Sequence, residues 1–296
     1  MSINITIKAF LLRLYAYFQL TKPTIMLLVV ITGGAALLTE GSLNNDPAKF
    51  FLTLVLLAMG GGSANAFNQV LEKERDSKMS RTAHRRPLPL GLITPIESWI
   101  IAILLGLGSV AGFALWFNIL SALVTMATII FYSFYYTLYL KPRTPHNIVI
   151  GGAAGAMAPV IAWAASSGTT HWIPWGMFGV IFLWTPPHFW SLAIACKDDY
   201  QKVGLPMMPL VIGPQRTWKL SRIYGLLTVV VTLALSLGDN RPVYGAVALV
   251  MGIFFIRILY NAQKRDDPQL SWKVFGFSVL YLLVIFTAWT AEIIME

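Results

Sequence analysis

Long apolar stretches separated by short polar connections dominate the pattern of this chain. A helix needs roughly 20 apolar residues to cross about 30 Å of hydrocarbon, and nine stretches of about that length are present. They lie at residues 23–40, 49–68, 96–116, 119–140, 147–166, 172–195, 218–237, 242–261 and 274–294. The pattern predicts an all-α polytopic membrane helix bundle of about nine transmembrane helices, forming one intramembrane domain over residues 1–296.

The first 20 residues form a separate apolar stretch that carries Lys8 and Arg13. This mixture predicts an amphipathic helix that lies in the membrane interface. A cleaved signal peptide is not indicated, because no small-residue cleavage site follows a short apolar core. An organellar presequence rich in Ser and Arg is not evident either, so the sequence favours a bacterial cell inner membrane.

The composition agrees with a membrane location. Hydrophobic residues make up 56% of the chain and charged residues 12%, whereas soluble domains carry about 25% charged residues. This excludes a soluble globular enzyme, a disordered chain and a nucleic-acid binder with a solvated basic face. The single cysteine, Cys196, excludes an intramolecular disulfide and leaves too few thiolates for a zinc or iron–sulfur site.

The basic residues are distributed unevenly between the two sides of the predicted bundle. Of the 22 Lys and Arg residues, 20 lie in the N-terminal segment and the even-numbered connections, and only Lys49 and Arg241 lie on the other side. Basic residues are retained on the cytoplasmic side of a membrane. The asymmetry therefore predicts a cytoplasmic N-terminus and, after nine spans, an extracytoplasmic C-terminus.

The second connection begins with a stripe of oxygen donors at the membrane edge. Asn68, Glu72 and Asp76 are four residues apart, so on a continuous helix they advance by about 40° per step and share one face. Glu74 lies between them in sequence and would point away from that face. Mixed charges at a helix end are often solvated helix-stabilising pairs, which is the simpler interpretation of this cluster alone.

A second acidic cluster follows the sixth predicted span on the same side of the membrane. It occupies residues 197–202 and contains Asp198 and Asp199. Ionisable groups near hydrocarbon are costly, so two such clusters at one end of a bundle indicate function. Hard oxygen donors with basic residues around them suit Mg²⁺ bound through a few carboxylates and the oxygens of a phosphate or diphosphate.

Clusters of small residues occur inside three of the predicted spans. They lie at residues 33–34, 60–64 and 151–155. Small residues let membrane helices approach closely, so these clusters predict helix–helix packing sites. The second cluster precedes the first acidic stripe, where small side chains would also let a ligand lie against backbone.

Several motifs resemble the UbiA superfamily of intramembrane prenyltransferases. The stripe Asn68-x3-Glu72-x3-Asp76 looks like the first acidic motif of that superfamily, and the second cluster occupies the place of its second motif. Residues 184–193, with 77–82 and 143–152, resemble more specifically its haem-farnesylating branch, the haem O synthases. The matching segments extend from about residue 20 to residue 215, while the last three spans match only in hydropathy.

The resemblance implies a UbiA-type bundle around a central cavity and a definite reaction. A farnesyl group would pass from farnesyl diphosphate to a vinyl group of haem B, with water adding a hydroxyl, to give haem O. Mg²⁺ would assist departure of the diphosphate, held by Asn68, Glu72, Asp76, Asp198 and Asp199. The implied diphosphate-binding residues are Arg81, Arg85, Arg86, Lys141, Arg143, Lys197 and Lys202. The implied haem-binding residues are His188 and His146, and whether terminal oxidase assembly factors take up the product is left open.

The second acidic motif departs from the family pattern. The family has two aspartates four residues apart, whereas Lys202 and Val203 stand four residues after Asp198 and Asp199. Either the adjacent aspartates serve as ligands, or Lys202 contacts the diphosphate directly in place of metal-mediated charge. In the first motif Gln69 and Glu72 stand at positions where the family has aspartates, and the side chain of Glu72 is one methylene longer.

Three other functions are compatible with parts of the pattern. A related prenyltransferase acting on a quinone precursor or a chlorin would share the acidic stripe, but not the segment from Thr185 to His188. A secondary transporter would have ionisable residues at the bilayer midplane, whereas most of the charges here lie at one interface. A haem-handling protein without catalytic activity would not need a stripe of oxygen donors.

Overall fold

The computed structural model describes residues 2–265 and 267–295. Within these ranges every regular element is a helix, because backbone groups in hydrocarbon must be satisfied inside their own segment. The helices are α1 (Ser2–Leu20), α2 (Pro23–Glu40), α3 (Pro47–Leu71), α4 (Lys73–Asp76), α5 (Ser80–Ala83), α6 (Pro95–Trp116), α7 (Ile119–Ile130), α8 (Asn147–Gly155), α9 (Ala158–Ser167), α10 (Trp172–Ala195), α11 (Lys197–Lys202), α12 (Met208–Val211), α13 (Pro214–Gly238), α14 (Pro242–Arg265) and α15 (Pro268–Met295). A π-helix, Phe131–Leu140, continues α7.

Nine helical segments of the described chain are long and apolar enough to cross a membrane. They are α2, α3, α6, α7 with its π-helical continuation, α8 with α9, α10, α13, α14 and α15. The predicted all-α bundle of nine spans is therefore confirmed. The largest differences at a boundary are at the starts of the seventh and ninth spans and at the end of the eighth, because polar end turns lower the local hydropathy without ending the helix.

Short-range signals start and end the spans. Asp46 caps α3 by accepting a hydrogen bond from the backbone N–H of Lys49 at 3.1 Å. Thr94 and Glu97 form a capping box at the start of α6, which satisfies N–H groups that have no partner within the helix. Gly41 follows α2 with a φ of +86°, a left-handed conformation that glycine adopts without steric cost.

The N-terminal segment is helical, as expected, and lies against α3 and α6. Arg13 forms an ion pair with Glu97, and the Tyr17 hydroxyl donates to the same carboxylate at 2.9 Å. Gln69 on α3 donates to the carbonyl oxygens of Gln19 and Leu20 at 3.2 and 2.8 Å. These contacts join the end of α1 to the bundle, and its location in the membrane interface stays a prediction.

Small residues bring neighbouring spans close together. A methyl group at Gly33 would lie 2.5 Å from Cδ1 of Leu57, and one at Gly112 would lie 2.4 Å from Cδ2 of Leu56. Both distances are shorter than real carbon contacts, so a larger residue at either position would require the leucine side chain to move. The packing interpretation of the small-residue clusters therefore holds for residue 33 in this structure.

The helix that carries the first acidic stripe is interrupted by one residue. α3 ends at Leu71, Glu72 has φ −102° and ψ 6°, and α4 begins at Lys73. The expected continuous helix is thus broken, but the i+4 hydrogen bonds persist. Glu72 N donates to Asn68 O at 3.0 Å, and Asp76 N donates to Glu72 O at 2.9 Å, so the four-residue spacing still places the three side chains on one side.

The π-helix is a local departure that hydropathy does not signal. Lys141 N donates to Tyr136 O at 2.8 Å, a bond of the i→i+5 type. Tyr132 stacks on Tyr136 with centroids 5.3 Å apart, and Tyr135 stacks on Tyr139 at 5.6 Å. One of these pairs faces the interior of the bundle and the other faces outward.

Candidate active site

A cavity of about 410 Å³ lies inside the bundle, between α2, α3, α7 with its π-helical continuation, α8, α9, α10 and α15. The end formed by the connections after α1, α3 and the π-helix is polar. The side chains that line this polar end are those of Lys22, Asn68, Arg81, Arg86 and Lys141. Most of the remaining wall is apolar or aromatic, so the cavity joins a charged end to a dry interior.

Two buried carboxylates support the cations of the polar end. Lys141 Nζ donates to Glu72 Oε2 at 2.7 Å, and Asp76 forms an ion pair with Arg86. Glu72 and Asp76 are only 2% and 3% exposed. A buried carboxylate is strongly unfavourable unless it is paired, so each acid requires its cation, and each cation is held at the cavity by its acid.

The charge state of Glu72 follows from this balance. Burial alone would raise the pKa of its carboxyl group, but the positive charges of Lys141 and Arg86 outweigh burial and hold the pKa below its ordinary value. Glu72 is therefore ionised at neutral pH. The polar end thus contains paired anionic and cationic groups in the absence of a ligand.

Lys22 is a cavity residue that the sequence analysis counted only as a topological charge. Its Nζ donates to Asn68 Oδ1 at 2.8 Å, and Asn68 Nδ2 donates to Glu72 Oε2 at 2.9 Å. Burial lowers the pKa of the Lys22 ammonium well below its usual range. Its φ of 55° is rare for a residue with a Cβ. The available signal was its position: Lys22 directly precedes Pro23 and the first span.

The first acidic stripe is brought together as the spacing predicted. Asn68, Glu72 and Asp76 are all buried at the polar end, while Glu74 is exposed. Asn68 also donates to Thr137 Oγ1 of the π-helix at 3.2 Å. The three side chains of the stripe therefore contact the cavity cations, and Asn68 also contacts the π-helix. Glu74 is not part of this group.

The second acidic cluster is arranged differently. Asp199 is 8% exposed and accepts the backbone N–H groups of Ser80 and Arg81, each at 2.9 Å. Burial raises the pKa of Asp199, but these two amides outweigh it and hold the pKa below its ordinary value. The carboxylate fixes the backbone beside Arg81, whose side chain lines the cavity, while Asp198 is exposed.

Several of the expected ligand-binding residues lie outside the cavity lining as the described residues define it. These residues are Arg85, Arg143, Lys197, Asp198, Lys202 and His146, together with Glu72, Asp76 and Asp199, which contact lining residues without lining the cavity themselves. Arg143 instead donates to the carbonyl oxygens of Leu138 and Tyr139 and lies over the Tyr139 ring at 4.6 Å. It closes the end of the π-helix, where free carbonyl groups attract a cation.

His188 contributes the imidazole of the cavity wall. It follows Pro186 and Pro187 within α10 and is 7% exposed. Its ring stacks between those of Trp184 and Phe275, with centroids 4.3 and 4.4 Å away and planes inclined by 17° and 22°. The wall around His188 is thus a layer of flat rings beside the cavity.

The π-helix supplies a second aromatic wall. Tyr132 and Tyr136 line the cavity together with the small residues of α8. A methyl group at Gly151 would lie 2.2 Å from Cδ2 of Tyr136. Glycine therefore lets the Tyr136 ring lie directly against α8, while Tyr132, which stacks on Tyr136, also lines the cavity.

Comparison with known proteins decides the family. The sequence profile of the UbiA prenyltransferase family matches residues 26–290. The chain belongs to the UbiA prenyltransferase family. This UbiA chain is 40% identical over 276 residues to protoheme IX farnesyltransferase of Rippkaea orientalis, covering 92% of the chain and 85% of the relative. It is 41% identical over 283 residues to the protein of the same name from Erythrobacter litoralis, covering 93% and 91%.

Solved structures share the fold of this UbiA chain. A UbiA homolog from Archaeoglobus fulgidus, bound to GPP and Mg²⁺, has a TM-score of 0.71 at 19% identity and covers 92% of this chain and 99% of its own. A structure described as digeranylgeranylglyceryl phosphate synthase has a TM-score of 0.76 at 18% identity, covering 96% and 99%. At these identities the likeness extends to the fold alone, and it confirms the expected UbiA-type bundle.

The donors of the polar end are chemically suited to a hard divalent cation. Among the described residues, no three or more His, Cys, Asp or Glu side chains lie close enough together to hold a metal ion by themselves. Asn68, which lines the cavity, nevertheless provides an amide oxygen, and Glu72 and Asp76 provide two carboxylates that contact the lining cations Lys141 and Arg86. Mg²⁺ uses a few such ligands together with the oxygens of a substrate phosphate, so this set fits Mg²⁺ bound with a diphosphate.

Proposed function

We propose that this UbiA-family enzyme transfers a farnesyl group from farnesyl diphosphate to a vinyl group of haem B, with release of diphosphate and addition of a hydroxyl group from water, giving haem O. The observation that supports it is one cavity with a charged end suited to a diphosphate and an aromatic wall that contains an imidazole. Relatives about 40% identical over most of the chain are named protoheme IX farnesyltransferase. The charges at one end distinguish this site from a transporter site at the midplane.

The polar end would bind the diphosphate group. We infer that Lys22, Arg81, Arg86 and Lys141 donate to its oxygens, because all four line that end. Asn68, Glu72 and Asp76 would hold Mg²⁺. When bound, the ion neutralises charge on the departing diphosphate. The two carboxylates also keep Arg86 and Lys141 in place before the substrate arrives.

The second acidic cluster would act through Arg81. Asp199 is engaged by two backbone N–H groups, which favours a bracing role over a place among the metal ligands. Asp198 is exposed outside the cavity lining. The remaining cations, Arg85, Arg143, Lys197 and Lys202, would attract the anionic substrate towards this end of the bundle.

The interior of the cavity would protect an allylic cation from water. The walls beyond the polar end are largely apolar, and excluding water prevents premature capture of a reactive intermediate. The ring faces of Tyr132 and Tyr136 can stabilise positive charge without bonding to it. The haem acceptor would bind beside the stacked rings of Trp184, His188 and Phe275. His146 is exposed and lies outside the lining, so it is not part of this proposed haem site.

We further propose that the protein lies in a bacterial inner membrane with the polar end in the cytoplasm. This follows from the distribution of basic residues. A reporter fused after Glu296 should then be extracytoplasmic and one inserted near Arg81 cytoplasmic. Both reporters on the same side would contradict the orientation.

The test of the function is extraction of haem from cells that lack the protein and from cells that overproduce it. Chromatography should show haem B alone in the first and a more hydrophobic farnesylated haem in the second. Cells that overproduce Glu72→Gln at the same level in the membrane provide the matched control. Accumulation of a prenylated quinone precursor or chlorin, with haem unchanged, would contradict the proposal.

A further inference from the structure

A serine behind the cavity wall contacts the imidazole of His188. Nδ1 of His188 lies 2.7 Å from Oγ of Ser278 on α15, and Ser278 itself is buried and does not line the cavity. The rings of Trp184 and Phe275 hold the plane of the imidazole from both sides. The contact with Ser278 therefore determines which edge of the ring faces the cavity.

The position of the hydroxyl proton determines the tautomer of His188. Ser278 Oγ also lies 2.7 Å from the carbonyl oxygen of Phe275. A carbonyl oxygen only accepts, so the single hydroxyl proton is donated to Phe275. Ser278 Oγ must then accept from Nδ1–H of His188. A neutral imidazole carries one N–H, so Nε2 retains its lone pair.

The surroundings favour this neutral imidazole. His188 is more than nine-tenths buried, its ring contacts are aromatic, and no carboxylate pairs with it in the described part of the chain. A buried charge without a partner is strongly unfavourable. The side chain thus offers a lone pair rather than a proton at Nε2.

Nε2 is available to a ligand in the cavity. His188 lines the cavity, and its hydrogen bond with Ser278 uses Nδ1, so Nε2 is the nitrogen left for a ligand. The other histidines, His84, His146 and His171, are not among the lining residues described. An imidazole whose second nitrogen donates to a fixed acceptor is the arrangement that orients histidine ligands of metals.

We propose that Ser278 is a positioning residue that holds His188 in the Nδ1-protonated tautomer, so that Nε2 binds the iron of the haem substrate. This inference rests on the proposed function, because the iron would reach His188 only as part of a haem. It assigns a role in acceptor binding to α15, a helix in which no sequence motif predicted a site residue.

The experiment titrates purified, detergent-solubilised protein with ferric haem B and records absorption and electron paramagnetic resonance spectra. The wild type should give a nitrogen-ligated haem, and His188→Ala should lose that signature. Ser278→Ala should weaken haem binding by about tenfold or more, the usual effect of removing such a supporting hydrogen bond. Ser278→Ala retains the backbone carbonyl that accepts Trp184 Nε1–H at 2.7 Å, so the stacked rings should stay in place.

Two further variants separate positioning from general disruption. Ser278→Thr keeps the hydroxyl and should restore the spectrum and the affinity. Ser271→Ala removes another buried hydroxyl from the same helix and should leave haem binding unchanged. If Ser278→Ala binds haem with the wild-type spectrum and affinity, or if Ser278→Thr fails to restore them, the inference is wrong.

Failure of this inference is distinguishable from failure of the proposed function. Haem O formation by the wild-type protein is measured on the same preparation. The wild-type protein could form haem O while His188→Ala leaves the haem spectrum unchanged. That result would overturn the role of Ser278 and leave the proposed function intact. Absence of haem O formation would contradict the proposed function. The spectra would still show whether His188 binds the haem iron.

Discussion

The two acidic clusters at the polar end use the same carboxylate group in different ways. In the first cluster Glu72 and Asp76 face the cations Lys141 and Arg86, which line the cavity. In the second, Asp199 faces two backbone N–H groups and Asp198 is exposed. The side-chain charges of the first cluster can rearrange around a ligand, whereas backbone amides are fixed.

The difference shows that the role of a carboxylate depends on the groups it contacts rather than on the sequence motif in which it lies. An acid paired with mobile cations can exchange them for a metal ion and a phosphate. An acid that accepts two main-chain hydrogen bonds holds a loop, and charge-assisted bonds of this kind are among the stronger ones in proteins. We therefore assign binding to the first cluster and bracing to the second.

The largest expected effect comes from removing one charge of the first cluster. Glu72→Gln and Asp76→Asn should each lower haem O formation by orders of magnitude, because each removes a proposed metal ligand and leaves a cavity cation unpaired. Glu74→Gln, two residues from both and exposed, should stay within a few-fold of the wild type. The measurement is haem O formed per unit of membrane-inserted protein.

Glu74→Gln also serves as the control for that comparison. All three variants must reach the membrane in similar amounts, which immunoblotting of membrane fractions checks. Should Glu74→Gln prove as damaging as Glu72→Gln, the assignment of the first cluster as the ligand face would be wrong.

A smaller effect is expected from replacing Asp199, which holds the backbone at Ser80 and Arg81. Asp199→Asn replaces one acceptor oxygen with a donor, so one of the two N–H groups of Ser80 and Arg81 loses its partner, at a cost of about 1–3 kcal/mol. Amide hydrogen exchange at Ser80 and Arg81 should become faster and haem O formation should fall by about tenfold, since 1.4 kcal/mol corresponds to a factor of ten. Asp198→Asn should change neither quantity appreciably. Loss of activity of equal size in both variants would instead favour the adjacent aspartates as metal ligands.

The smallest effect is expected for Lys202. Its Nζ lies 3.9 Å from Asp199 Oδ1 and the side chain is 58% exposed, and exposed ion pairs of this kind contribute about 0–1 kcal/mol. Lys202→Ala should leave KM for farnesyl diphosphate within about twofold of the wild type. A large increase in KM, with protein levels unchanged, would show that Lys202 contacts the diphosphate directly.

Sequence patterns predicted the parts of this structure that depend on hydropathy and spacing. Nine apolar runs gave nine spans, and the four-residue spacing of Asn68, Glu72 and Asp76 placed them together although the helix breaks at Glu72. Such features are local, because each follows from the properties of one segment.

The parts that escaped prediction depend on contacts between segments. The π-helix has the same hydropathy as an α-helix, so its i→i+5 bonds leave no sequence signal. Lys22 was assigned to topology because its partner Asn68 is far away in the chain. Ser278 is an ordinary small residue in an apolar helix, and only its contact with His188 distinguishes it.

The metal dependence of the purified wild-type protein tests the central claim most directly. Farnesyl transfer to haem B should cease in a metal-free buffer with chelator and return on addition of Mg²⁺, because the first cluster is proposed to hold the ion that neutralises the departing diphosphate. Glu72→Gln in the same assay should show little recovery at any Mg²⁺ concentration. Full turnover of the wild type in thoroughly metal-free buffer would contradict the account.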